Sequence, residues 1–358
     1  MTLKLLEDEK LTWDVPFADE TLMVTVPDVP YMSENWCYTG YDPVSRIGFY
    51  VHMGRWIGDP EVLRELFMIW LPDGSVLWAQ GFGRGDCTQG PNIACGRLIF
   101  EEPGKRIRIK YSGPMQLIPF DQVASPEPRA HVLDMVDFDV LFTGTAPCWY
   151  YPSTDNSSWA KFHIEQMGRA TGLVKHRGVE HKVDGVTYRD HSRGPRMLND
   201  LRGHTWIQGQ FPGGEAFCIY QVWLKIDGKE VEALSEGKIY KDGKFHPVRI
   251  VSVPRGSTAL DAQQDFEIVL ESELGNHTIK AMPQALSLYS FGRLQSHYLA
   301  GIPYGALEFP LQNIEQPTEF LWNGKTGHGH TERSYWRADA ESASDPERLR
   351  AAYRKNCK

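Results

Sequence analysis

The chain has 358 residues, 41% of them hydrophobic and 23% charged, with a net charge of −8 at neutral pH. That is the profile of an ordinary globular protein with room for two domains. The acidic balance excludes nucleic acid as a main partner, since phosphate binding needs a concentrated basic surface, and no run approaches the roughly 18 apolar residues of a membrane helix, so no stable membrane insertion is expected.

From the N-terminus, MTLKLLEDEKLTWD alternates Leu with charges and lacks an apolar signal core, which predicts a cytoplasmic protein. Cysteines at 37, 87, 95, 148, 218 and 357 form no CxxC pair and read as scattered reduced thiols. The glycosylation triplets at Asn156 and Asn276 are accordingly read as chance matches. Strands then follow one another: RIGFYVHMG (46–54), ELFMIWL (65–71), SVLWAQG (75–81), GRLIFEE (96–102) and KRIRIKY (105–111). Each is short, rich in β-formers and bounded by turn residues. DPEVLRELF (59–67) also fits a helix. HVLDMVDFDVLFTGT (131–145) alternates as a half-solvated antiparallel strand should, and APCWYYPSTDNSS (146–158) has the composition of a domain connection.

The second half repeats the style. Asp184-Gly185, Asp227-Gly228 and Asp242-Gly243 predict tight hairpins among AFCIYQVWLKI (216–226), GKIYKDGKFHPVRIV (237–251), QDFEIVLESEL (264–274) and TEFLWNG (318–324). Ser344-Asp345-Pro346-Glu347 opens a C-terminal helix with a capping box and Pro in the first turn. The predicted fold is all-β: two lipocalin-like antiparallel barrels or sandwiches, at 1–150 and 151–340, with a short helical tail at 341–358. An aromatic content of 12% suits either broad sheets or a large apolar pocket.

Three clusters carry chemistry. In TYRDHSRGPR (187–196), Tyr188, Asp190 and Ser192 alternate with Arg189, His191 and Arg193, so an extended strand points the two sets to opposite faces. Such a grouping is either a reactive site or a solvated strand end held by ion pairs. In WAKFHIEQMGRATG (159–172), His163 and Glu165 share a face with Gln166 opposite, as a tuned acid–base pair or a structural one. In KTGHGHTERSYW (325–336), His328, His330 and Glu332 line one face at a spacing that also suits a metal site. HTWIQGQFPGG (204–214) adds His204, able to reach a cavity, and Trp206, a core residue or a cavity wall. GFGRGDCTQG (81–90) is glycine-rich but lacks GxGxxG, and the chain has no Walker motif, GxSxG or HExxH. Nucleotide and serine-hydrolase readings fall away.

HIEQMGRATG, HKVDGVTYRDHSRGPR, HTWIQGQF and GHGHTE, in that order, resemble the carotenoid 1,2-hydratase (hydroxyneurosporene synthase) and tocopherol cyclase-like superfamily. The match covers most of the second half and extends to the first through ENWCYTGYDP and its strand spacing. The resemblance implies a pair of lipocalin-like barrels and acid-catalysed chemistry on an isoprenoid-like alkene, with roles for Tyr188, Asp190 and an upstream His placed at His163. Many relatives carry an aromatic residue at the position of Arg193, so a cation facing the cavity there would favour a polar or anionic substrate.

The chemistry of the residues leads to the same reaction class. Hydrating an unactivated alkene needs a strong acid in a dry place. A buried Asp190 would stay protonated, since desolvation raises a carboxyl by up to about 3–5 units. Tyr188, Trp206 and Trp159 would stabilise the cation, and His163 with Glu165, or His191, would activate water. The candidate set is therefore Asp190, Tyr188, His163, His191 and Glu165 for catalysis, with Trp206, His204, Trp159, Glu332 and His330 around the substrate. No cofactor is required. The expected partner is an apolar small molecule, with a homodimer allowed. The function predicted is a hydratase, dehydratase, isomerase or cyclase. The alternatives are a lipocalin-like carrier holding the same molecule unchanged, and a metal enzyme built on His328, His330 and Glu332.

Overall fold

Period-two alternation, broken by turns that force the backbone to reverse, builds two large antiparallel sheets and, among the described residues, almost no helix. The structure, a computed structural model, describes residues 10–29, 32–56, 59–84, 90–120, 123, 132–152, 162–195, 201–255, 261–285, 287–290 and 311–336. The first sheet contains β1 (Lys10–Thr12), β2 (Met32–Asp42), β3 (Ile47–Trp56), β4 (Asp59–Trp70), β5 (Val76–Gly83), β6 (Gly96–Glu102), β7 (Arg106–Ile118), β8 (Val132–Gly144), β9 (Cys148–Pro152), β10 (Phe162–His176) and β11 (Val179–Pro195). The second contains β12 (Leu201–Gln210), β13 (Ala216–Ile226), β14 (Lys229–Lys241), β15 (Lys244–Pro247), β16 (Arg249–Ser252), β17 (Phe266–Ser272), β18 (Gly275–Pro283), β19 (Ser287–Ser290), β20 (Leu311–Trp322) and β21 (Lys325–Trp336). Among the described residues, no helix is long and apolar enough to cross a membrane.

The first sheet closes on itself. β11 pairs with β2, β5 with β7, and β8 with both β7 and β10, which returns to β11. A ring of eight strands leaves an interior just wide enough for side chains, and here Phe49, Phe67, Phe138 and Phe142 fill it. The second sheet runs from β15 to β16 and is drawn toward closure where the Val248 N–H donates to the Gly237 carbonyl at 2.9 Å. Its core holds Ile207, Phe217, Ile219, Ile239, Ile268 and Phe320. A third apolar cluster lies where the outer faces of the sheets meet; Cys37, Tyr50, Trp70 and Tyr188 pack there with Trp206, Cys218 and Ile314. The lipocalin-like all-β fold is the one expected.

Several details differ. Sheet membership does not change at residue 150, because β9, β10 and β11 all belong to the first sheet. β11 is needed to complete the ring, aligned from Val186 opposite Tyr41 to Pro195 opposite Met32, so the sheets part between Pro195 and Leu201. Part of the expected connection, Cys148–Pro152, is itself a strand. Asp227-Gly228 and Asp242-Gly243 do form tight hairpins, with φ of 50° and 77°, and of 51° and 78°. Asp184-Gly185 does not; it lies inside β11, and the turn is Arg177-Gly178. Gly185 serves a different need, since a Cβ there would sit 2.2 Å from the Tyr41 carbonyl oxygen. Residues 59–67 extend in β4 rather than coil. The tail at 341–358 lies outside the described residues.

Candidate active site

Alternation along β10 and β11 splits their polar residues between two environments. Glu165 stands opposite Asp190 and His163 opposite Ser192 in the β10–β11 register, so the outward-facing side chains of both strands converge. The His163 Nε2 is hydrogen-bonded to the Asp190 Oδ2, and it lies 3.8 Å from the Glu165 Oε1. The Ser192 hydroxyl donates to the Asp190 Oδ1 at 3.3 Å. The Tyr188 hydroxyl donates to the Glu165 Oε2 at 3.0 Å. From the second sheet, the Trp206 indole N–H donates to the Glu165 Oε1 at 3.3 Å and the Cys218 thiol approaches the Oε2 at 3.8 Å. The rings of Tyr188 and Trp206 meet edge to face at 5.7 Å, and Trp149 leans over His163 at 5.6 Å.

The site thus lies between the two sheets, not inside either one. Trp149, His163, Glu165, Cys218, Tyr220, Glu236, Gly237 and Lys238 line a partly open recess with a volume of about 20 Å³, on the order of one water.

Electrostatics separates the members of the cluster. Glu165 is 3% exposed. Burial pushes its carboxyl above the ordinary carboxylate range, and the opposing pull of His163 and Lys238 does not cancel that. Burial pulls the His163 imidazole down, but the Asp190 carboxylate beside it outweighs burial, and the imidazole keeps its proton to higher pH than usual. Asp190 is hydrogen-bonded to the His163 imidazole, and Glu165 is the carboxyl of this cluster that burial pushes above the ordinary range. Burial likewise pushes up the Tyr188 phenol and the Cys218 thiol.

The opposite face of β11 holds a different arrangement. Arg189 is fully buried and grips Glu20 through Nη1 and Nη2 at 2.9 and 2.7 Å, while its Nε donates to the Gln166 Oε1 at 2.8 Å. His191 stacks on Trp36 with ring centroids 4.4 Å apart and contacts Glu34. It therefore cannot activate water at the Asp190 site; strand alternation turns it away. Arg193 bonds Glu34 at 2.8 Å and covers the Phe162 ring, so it too is absent from the recess.

The remaining expected residues disperse. His204 pairs with Glu332 and shares a hydrogen bond with the Ser334 hydroxyl at 2.8 Å. It meets the recess only through the Tyr220 ring, 6.3 Å away. His330 contacts Glu315 at 2.7 Å beside Tyr50 and Trp70, and His328 lies 3.5 Å from Glu319. His328, His330 and Glu332 therefore face one way but engage three separate partners, and they do not converge on a common ion. Among the described residues, the trio able to hold a small cation is His163, Glu165 and Asp190, whose ligand atoms lie within 4.8 Å of one another; the His163–Asp190 hydrogen bond already occupies two of them. Trp159 lies outside the described residues. Sequence reasoning passed over Trp149, Cys218, Tyr220 and Lys238. The alternation of Cys218 with Tyr220 was a usable signal. A lone Lys in a strand was none.

The sequence profile of the domain of unknown function DUF7064 matches residues 18–335, and the chain belongs to that family. No curated protein matches the sequence. Among solved structures, an AttH candidate from Nitrosomonas europaea is similar at 14% identity with a TM-score of 0.59, over 88% of this chain and 98% of that one. CghA is similar at 11% identity and a TM-score of 0.53, over 92% and 98%. Kievitone hydratase from Nectria haematococca is similar at 12% identity and a TM-score of 0.51, over 92% and 97%. At these identities the likeness is one of fold.

Proposed function

We propose that this member of the DUF7064 family is an acid–base enzyme that needs no cofactor. It adds water to an apolar, isoprenoid-like alkene, or runs the reverse dehydration or a related isomerisation or cyclisation. The observation that carries this reading is Glu165: a carboxyl buried against Tyr188 and Trp206 and pushed above the ordinary carboxylate range by desolvation, with the His163–Asp190 pair beside it. A fold shared with a protein named as a hydratase supports the same reaction class.

The steps follow from the contacts. Glu165 passes its proton to an alkene carbon, and the carbocation that develops faces the rings of Tyr188 and Trp206. Water adds to the cation and gives up a proton to the Asp190 side of the imidazole–carboxylate pair. His163, whose Nε2 lies between Asp190 and Glu165, returns a proton to Glu165 and closes the cycle. Without water in the recess, the cation loses a proton elsewhere or closes a ring.

The test is to identify an apolar molecule retained by the purified protein and to follow its turnover in ¹⁸O-labelled water. Label should enter the product with the wild type and fail to enter with Glu165→Gln and Asp190→Asn. A wild type that returns the molecule unchanged would make the protein a carrier.

A further inference from the structure

A separate recess opens where hairpin ends of the first sheet meet the second, and it shares no lining residue with the acid–base cluster. Tyr41 of β2, Arg46 in the β2–β3 turn, Trp70 and Leu71 at the end of β4, and Gln284 and Pro317 from the second sheet's side line a partly open space of about 20 Å³. Close approach of the sheets forms it. A Cβ on Gly48 would stand 2.6 Å from the Pro317 Cγ and 3.1 Å from the Trp70 Cε3, so glycine is what lets β3 and β20 meet here. Trp70 is 1% exposed, and its indole N–H has no acceptor among the described residues. A buried donor left in that state is costly.

The charge at this recess points the same way. The Arg46 guanidinium lies beside the Tyr41 hydroxyl, and burial pushes that phenol up, so it keeps its proton. The carboxylates that bear on Tyr41 are engaged elsewhere. Asp42 accepts from the Val44 N–H at 2.9 Å and the Ser45 hydroxyl at 2.8 Å, and Glu319 lies 3.5 Å from His328. An anion entering here meets their repulsion, and Arg46 is the cation that offsets it. A carboxylate accepts from the indole, the guanidinium and the phenol and has nothing to donate. We infer that this recess binds the carboxylate of a small organic acid, one oxygen on the Trp70 N–H and the other on Arg46, with the apolar body at the mouth against Leu71 and Pro317. The space is on the order of one water, so the head group alone enters. The inference does not rest on the acid–base reading.

The probes are benzoate, its neutral counterpart benzyl alcohol, and inorganic phosphate, titrated calorimetrically into the full-length protein. Indole ¹H–¹⁵N resonances are followed in parallel, with that of Trp70 assigned by its loss in Trp70→Phe. The wild type should bind benzoate at least about 10-fold more tightly than either other probe, as one charge-assisted hydrogen bond allows. Benzoate should also shift the Trp70 resonance. Arg46→Met, a change at an exposed turn residue, should abolish the preference and leave benzyl alcohol unchanged within about twofold. Equal affinities in the wild type, binding of none of the probes, a Trp70 resonance unmoved at saturation, or a preference surviving in Arg46→Met each overturn the inference. Tighter binding of phosphate than of benzoate overturns the assignment to an organic acid. Glu165→Gln should bind benzoate as the wild type does; loss of binding there would put the ligand in the acid–base recess instead.

Discussion

The two faces of the β10–β11 pair both meet buried carboxyls and hold them in opposite ways. On the face inside the first barrel, Arg189 meets Glu20 with two matched hydrogen bonds, and Glu34 receives Arg55, Arg193, His191 and the Met23 N–H. Burial works against both carboxylates, yet the Arg189 guanidinium at Glu20, and His191 with Arg193 at Glu34, outweigh it and hold both below their ordinary range. On the face toward the second sheet, Glu165 has neutral donors and two cations that do not overcome its desolvation. The β10–β11 pair therefore borders matched buried charges on one side and, on the other, a carboxyl whose desolvation is not offset. What separates structure from chemistry here is whether each buried charge finds a matched counter-charge.

The comparison breaks most sharply by substitution. Glu165→Gln and Asp190→Asn should lower kcat/KM by about 10²–10⁴-fold, the usual size of a lost general acid or base, with a thermal midpoint no lower than that of the wild type. Arg189→Met should do the reverse. Leaving Glu20 buried without its partner costs about 3–5 kcal/mol of stability, read by urea denaturation, while protein that remains folded keeps its turnover.

pH sharpens the same contrast. Glu20 and Glu34 have lowered values when folded, so their contribution is present above the ordinary carboxylate range and is lost as pH falls through the folded values. Glu165 and His163 have raised values, so their contribution is present below their ordinary values of 4.5 and 6.5 and is lost as pH rises through the folded ones. Activity should fall on that alkaline side, and Glu165→Gln should flatten the stability slope there without changing the acid limb. The smallest effect is expected from Tyr188→Phe. It removes one hydrogen bond to Glu165, worth about 0.5–1.5 kcal/mol, and should lower kcat up to about 10-fold and shift the alkaline limb.

Much of this was legible in the chain. Alternation in TYRDHSRGPR separated Tyr188 and Asp190 from Arg189, His191 and Arg193, and Asp227-Gly228 and Asp242-Gly243 marked their hairpins, because period and turn chemistry are local properties. The grouping of His163, Glu165 and Asp190 was partly legible: each strand aligned its own residues, but only the β10–β11 register set them face to face. Asp184-Gly185 misled because a Gly demanded by close approach to Tyr41 looks identical in sequence to a Gly demanded by a turn. That β9, β10 and β11 join the first sheet was not legible. Nothing local distinguishes β11 from a strand of the second sheet, and its neighbour β2 lies far back along the chain.

Which side chains lie on a common face follows from the pleat, whatever surrounds the strand, and the linear order of residues was enough for that. Whether a face becomes interior or cleft depends on what packs over it. Only the docking of β12, β13 and β14 over β10 and β11 buried Glu165 and brought Lys238 to the recess, because desolvation and charge pairing arise between segments that the chain itself holds far apart.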